Sequence, residues 1–137
     1  MQSTAVIGDA VGEVEIYQSP DGSVRLDVRT DGDTVWLTRQ QIGDLFSRDV
    51  KTIGKHVANA RREELASEST VAKFATVQQE GDRAVERYIE HYNLDMVLSI
   101  GYRVKSPEGI QFRRWANDVL NDMYLLASQR KRLGSAN

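Results

Sequence analysis

The chain has 137 residues, of which 40% are hydrophobic and 28% charged, enough for one domain core and little more. It has no cysteine, which excludes disulfides, thiolate metal sites and a cysteine nucleophile. Apolar runs are only a few residues long, and the first residues lack the basic start and apolar stretch of a signal peptide, so a cytoplasmic protein is expected. The net charge of −2 hides an asymmetry. Residues 38–62 carry six basic side chains (Arg39, Arg48, Lys51, Lys55, Arg61, Arg62) against two acidic ones (Asp44, Asp49), a balance of +4. The remaining twelve basic and eighteen acidic residues sum to −6. Association with an anionic partner depends on the local field, screened over about 10 Å at roughly 0.1 M salt, and not on the total.

After a flexible tail at 1–12, a domain is expected over 13–127, with a polar, frayed tail at 128–137. Val14 and Ile16, then Val24, Leu26 and Val28, alternate with polar residues, and Pro20-Asp21-Gly22 and Asp31-Gly32-Asp33 supply turns. With Thr34 to Leu37 as the third strand, this predicts a β-meander. Thr38 is placed to cap a helix reaching about Phe46, with Gln41 at the capping-box position. Ser47-Arg48-Asp49 breaks it, and a second helix follows from about Val50 to Leu65, apolar at Val50, Ile53, Val57 and Ala60. Val71 to Gln78 and Ala84 to Tyr92 then form a hairpin. A largely apolar helix is expected over Leu94 to Val104. A last helix opens at Ser106-Pro107-Glu108, with a stripe of Phe112, Trp115, Ala116, Val119, Met123 and Leu126.

A helix-turn-helix needs a small residue where its second helix crosses the first, and Gly43 falls there. Ile53, ten residues on, meets that contact, and Phe46 and Val57 complete the small core. The fold expected is therefore an α+β winged helix-turn-helix, with an N-terminal β-meander, a β-hairpin wing and two C-terminal helices. Lys51, Thr52 and Lys55 would face the major groove, with Asn59 on the same polar face. Arg39, Arg48 and Arg62 read as phosphate contacts, and Lys73, Arg83 and Arg87 as wing contacts or a solvated hairpin face.

Other residues read as structural. His56 beside the apolar stripe either donates to a phosphate or is satisfied by a neighbour. With His91 it makes two histidines and no cysteine, too few for zinc. Glu90 and Asp95 accompany no nucleophile; Asn93 or Asp95 would serve a helix start. The Gly-Asp and Asp-Gly pairs are turn makers without a phosphate-loop lysine, so no cofactor and no enzymatic activity are expected. Phe112, Trp115, Val119 and Met123 offer more apolar surface than a small core needs, which makes them candidate contacts of a homodimer.

From Thr34-Val35-Trp36-Leu37-Thr38 onward the sequence resembles the amino-terminal domain of the RhuM family of bacterial and phage proteins. The resemblance rests also on Ile53-Gly54-Lys55-His56-Val57 with Asn59, and on Ala72 to Gln78. His91 to Asp95, Gly101-Tyr102-Arg103-Val104 and Gln111 to Ala116 follow in the family's order, over about Val14 to Leu126. The final helix is also similar to those of phage Bro-N and KilA-N domains. The resemblance implies a DNA-binding-like domain of a phage or mobile element; taken with the helix pair and its charge, the function expected is double-stranded DNA binding as a transcriptional regulator or DNA-tethering module. The alternative is an antitoxin-like or phage accessory module that binds protein.

Overall fold

The period-two stretch folds as three strands, β1 (Glu13–Gln18), β2 (Arg25–Asp31) and β3 (Thr34–Thr38). The structure is a computed structural model describing residues 13–66 and 69–135, the last six as backbone only; the expected tail at 1–12 lies outside those residues. Helices α1 (Arg39–Phe46) and α2 (Val50–Glu63) follow. Then come β4 (Val71–Glu80), β5 (Arg83–Asn93), α3 (Leu94–Arg103) and α4 (Glu108–Ser135). The class is mixed α+β, with one five-stranded antiparallel sheet in the order β1-β2-β3-β5-β4.

Local sequence pattern does not connect the meander to the hairpin; the structure joins them through β3. Trp36 lies opposite Asn93, Leu37 opposite Tyr92 and Thr38 opposite His91. One sheet face buries Tyr17, Leu26, Val28, Val35, Leu37 and Tyr92 in a single core with the helices. Helices α1 and α2 add Ile42, Leu45, Phe46, Ile53, Val57 and Ala60, and α3 and α4 add Met96, Val97, Ile100, Phe112 and Ala116. Each large side chain so buried stabilises the fold by about 1.5–3 kcal/mol.

Strand β1 turns its alternation the other way from expectation. Tyr17, opposite Leu26, takes the core face and packs edge-on against Phe112 and Trp115. Because side chains alternate strictly, Val14 and Ile16 then point outward and are more than half exposed. On the face away from the main core, Phe74 meets Trp36 and His91 edge-on, with the Arg29 guanidinium 4.6 Å from its ring centroid. His91 accordingly has a structural place, its Nδ1 bonded to the Ile89 carbonyl.

The capping box at α1 is complete: Thr38 accepts from the Gln41 amide, and Gln41 accepts from the Thr38 amide. Asn93 caps α3 by accepting from the Met96 amide at 3.1 Å. Gly101 sits inside α3, where a methyl would lie 2.9 Å from Cζ of Phe46. Helix α4 continues to Ser135, so the backbone of 128–135, expected as a frayed tail, is helical.

Candidate nucleic-acid interface

The junction between α1 and α2 is three residues long, Ser47-Arg48-Asp49, and its geometry follows from Gly43. A methyl on Gly43 would lie 2.7 Å from the Arg48 carbonyl oxygen but an ordinary 3.8 Å from Ile53 Cγ1. The small residue is thus required by the turn's backbone more than by the second helix. Ser47 takes the left-handed conformation (φ 57°), and the Arg48 amide donates back to the Gly43 carbonyl at 3.0 Å. Asp49 caps α2 by accepting from the Thr52 amide at 2.7 Å. That amide, with the Thr52 hydroxyl, holds the Asp49 carboxyl below its usual range. An anion is well placed at a helix N-terminus.

Helix α2 buries Ile53, Val57 and Ala60. On the opposite side Lys51, Lys55, Ala58 and Arg62 are all exposed, at spacings of four, three and four residues along one ridge. No carboxylate interrupts the helix between Asp49 and Glu63. Among the described residues, Lys51 and Lys55 have no ion-pair partner. The far end of α2 is fastened to α3 by Arg103, which reaches Glu63 at 3.1 Å and Glu64 at 2.7 Å. Sequence reasoning missed Arg103, because only the fold brings it to the end of α2.

The candidate cations divide into two groups. Lys51, Lys55 and Arg62 form the ridge, with Arg62 donating to the Asn59 side chain beside it. Arg39, half-buried, and Arg48, exposed, both direct guanidinium donors to groups of the protein itself. Arg39 lies across Gly54, where a methyl would come 3.0 Å from its Nη1, and its Nη2 donates to the Tyr92 hydroxyl at 3.0 Å. Tyr92 in turn donates to Glu90, giving that carboxylate a structural partner. Arg48 donates to the carbonyls of Phe46, Ser47 and Val104, clamping the C-terminal ends of α1 and α3 together. Thr52 is half-buried, with its amide donating to the Asp49 carboxylate.

The β4–β5 hairpin closes through Gly81-Asp82, with φ of +65° at Gly81, a conformation glycine adopts without strain. Since β3 pairs only up to His91, the hairpin beyond Ala72 projects as an arm of roughly 25 Å. The arm spanning 71–93 carries Lys73, Arg83 and Arg87 against Glu80, Asp82, Glu86 and Glu90, a balance of −1. Arg87 is paired in two-pronged fashion with Glu80, at 2.8 and 3.0 Å. That leaves Lys73 and Arg83 as exposed cations, a weak electrostatic contact surface.

The expected dimer contacts also separate. Phe112 is wholly inside the core and offers no surface, and Trp115 packs on Tyr17 and Phe112. Val119 and Met123 are half-buried on α4. His56 lies half-buried on α2, and Asp95 is exposed in the first turn of α3. Among the described residues no group of three or more His, Cys, Asp or Glu side chains gathers as a metal site. One buried polar atom lacks a hydrogen-bond partner there: the hydroxyl of Tyr17. Burial, and then the Glu108 and Asp21 carboxylates, raise its pKa above the usual phenol value.

Residues 69–129 match the profile of the Virulence protein RhuM family. The matched stretch holds β4, β5, α3 and most of α4, and leaves the α1–α2 pair and the meander outside it. No curated protein and no solved structure matches the chain. No helix among the described residues is long and apolar enough to cross a membrane.

Proposed function

Residues 69–129 match the profile of the RhuM family, and starting from that match we propose that the preceding α1–α2 pair binds double-stranded DNA. In this reading the domain is a winged helix-turn-helix with α2 as recognition helix and the β4–β5 arm as wing. It acts as a homodimeric transcriptional regulator or DNA tether and needs no cofactor. The observation that carries the reading is the ridge of Lys51, Lys55, Ala58 and Arg62, exposed on a helix anchored at both ends, with a carboxylate only at its last member, where Glu63 lies 3.9 Å from Arg62. Ala58 keeps the ridge low between Lys55 and Arg62, so backbone can approach a groove floor while the cations reach phosphates and base edges. The arm's charge balance gives it a secondary part.

Each phosphate contact contributes roughly 0.9 to the slope of log K against log salt. Three ridge cations therefore correspond to a slope near −3 per chain. Fluorescence anisotropy on a random duplex, repeated with Lys51→Ala/Lys55→Ala, checks this. The double variant should fold normally and lose nearly two units of slope; binding equal to the parent's would refute the assignment. A protein-binding reading is favoured by one observation: the arm is slightly acidic and exposes Val77 (70%) and Tyr88 (56%). In that case duplex binding would be negligible even at low salt.

A further inference from the structure

The last helix is longer than its domain requires. At 28 residues α4 spans about 42 Å. Along one stripe, at alternating spacings of four and three, Phe112 and Ala116 are completely buried, Val119 and Met123 half-buried, and Leu126 54% exposed. Beside the end of that stripe Tyr124 is 72% and Leu125 56% exposed. Among the described residues, no side-chain hydrogen bond or ion pair ties α4 beyond Glu108 to another element. The pattern that builds the core thus continues past it, and among the described residues no other element covers its far end. An amphipathic helix of this kind is marginal in water without a packing partner.

The sequence says what that partner is. Asp118 and Asp122 lie at the near end of the projecting segment, and Arg130, Lys131 and Arg132 at its far end. A parallel pair would set three cations against three. An antiparallel pair sets acids against bases at both ends and leaves the apolar stripe in the middle. We infer that the projecting half of α4 pairs with the same segment of a second copy, antiparallel, about a midpoint between residues 124 and 125. Met123 of each copy then lies over Leu126 of the other, as alternating three- and four-residue spacing requires of antiparallel helices. This names the surface for the homodimer proposed above, on which it rests, and does not depend on DNA binding.

The test starts from light scattering at micromolar concentration. The parent should be a dimer with a concentration-dependent melting temperature, and Leu126→Glu, at an exposed position, a monomer that keeps a cooperative thermal transition but loses that concentration dependence. A monomeric parent overturns both the pairing and the homodimer. Orientation is read separately, since the chain has no cysteine to interfere. Spin labels on Asn117→Cys, some seven residues from the midpoint, should stand about 20–25 Å apart across an antiparallel pair. Labels on Tyr124→Cys should stand within about 15 Å. Both sites at the shorter distance would mean a parallel pair, which overturns the inference while leaving the homodimer intact. A dimer that survives Leu126→Glu would overturn the inference in the same way.

Discussion

Replacing Gly43 by alanine tests whether the tight turn organises the helix pair. In an unobstructed helix interior, Gly→Ala is stabilising by about 1 kcal/mol, from helix propensity and reduced freedom of the unfolded chain. At Gly43 the new methyl would sit 2.7 Å from the Arg48 carbonyl oxygen. That atom belongs to a backbone held by the Arg48 amide bond to Gly43 and by the Asp49 cap, so it cannot yield without moving the start of α2. Overpacking of this kind costs about 1–3 kcal/mol, leaving a net loss of roughly 1–2 kcal/mol. For a domain of this size that is a fall in melting temperature of about 3–10 °C. Gly54→Ala is the matched control. Its methyl would meet only the end of the Arg39 side chain, at 3.0 Å, and a flexible guanidinium can move aside. Thermal denaturation should show Gly43→Ala destabilised and Gly54→Ala unchanged or stabilised by up to about 1 kcal/mol. Equal stability of Gly43→Ala and the parent would refute the reasoning.

Further outcomes follow from single groups. Tyr17→Phe removes a buried hydroxyl without a hydrogen-bond partner and should raise stability by about 1–2 kcal/mol in urea titration; a loss would mean the hydroxyl is satisfied. Burial, reinforced by Arg29, pushes the His91 pKa below its ordinary value. The unfolded chain therefore takes up this proton from about pH 6.5 downward while the folded chain does not. Stability above that pH is unaffected by His91 and declines as pH falls below it; His91→Gln should lack that part of the decline, and an identical pH profile would be contradictory. Arg48→Ala, which loses three carbonyl contacts, should cost about 1 kcal/mol yet leave the salt slope of DNA binding unchanged. A slope reduced by one would restore Arg48 as a phosphate contact.

Much of the fold is written in local pattern. Thr38 with Gln41, Gly43, Asp49 and Asn93 each carry their cap or turn in the residue type itself, and the structure uses all of them. What was illegible depends on long-range pairing. The face that β1 buries was not decided by Val14 and Ile16 but by Tyr17, whose ring finds Phe112 and Trp115 nearly a hundred residues away. Arg39 and Arg48 look like phosphate ligands in a basic segment, and only the fold supplies Tyr92 and the Val104 carbonyl as their partners. Phe112 and Met123 share one stripe in the sequence, and only the extent of the domain separates core from surface along it. The cations of α2, Lys51, Lys55 and Arg62, by contrast, are legible from helical spacing and an absence of acids, whereas Thr52 and Asn59, expected on the same polar face, are half-buried.

The most direct measurement is amide chemical-shift mapping of the protein titrated with a short random duplex at low salt. Shifts should concentrate at Lys51, Thr52, Lys55, Asn59 and Arg62, with smaller ones in the arm. An α2 that stays silent while the arm, the sheet face or α4 responds, or a spectrum that does not change at all, would contradict the account.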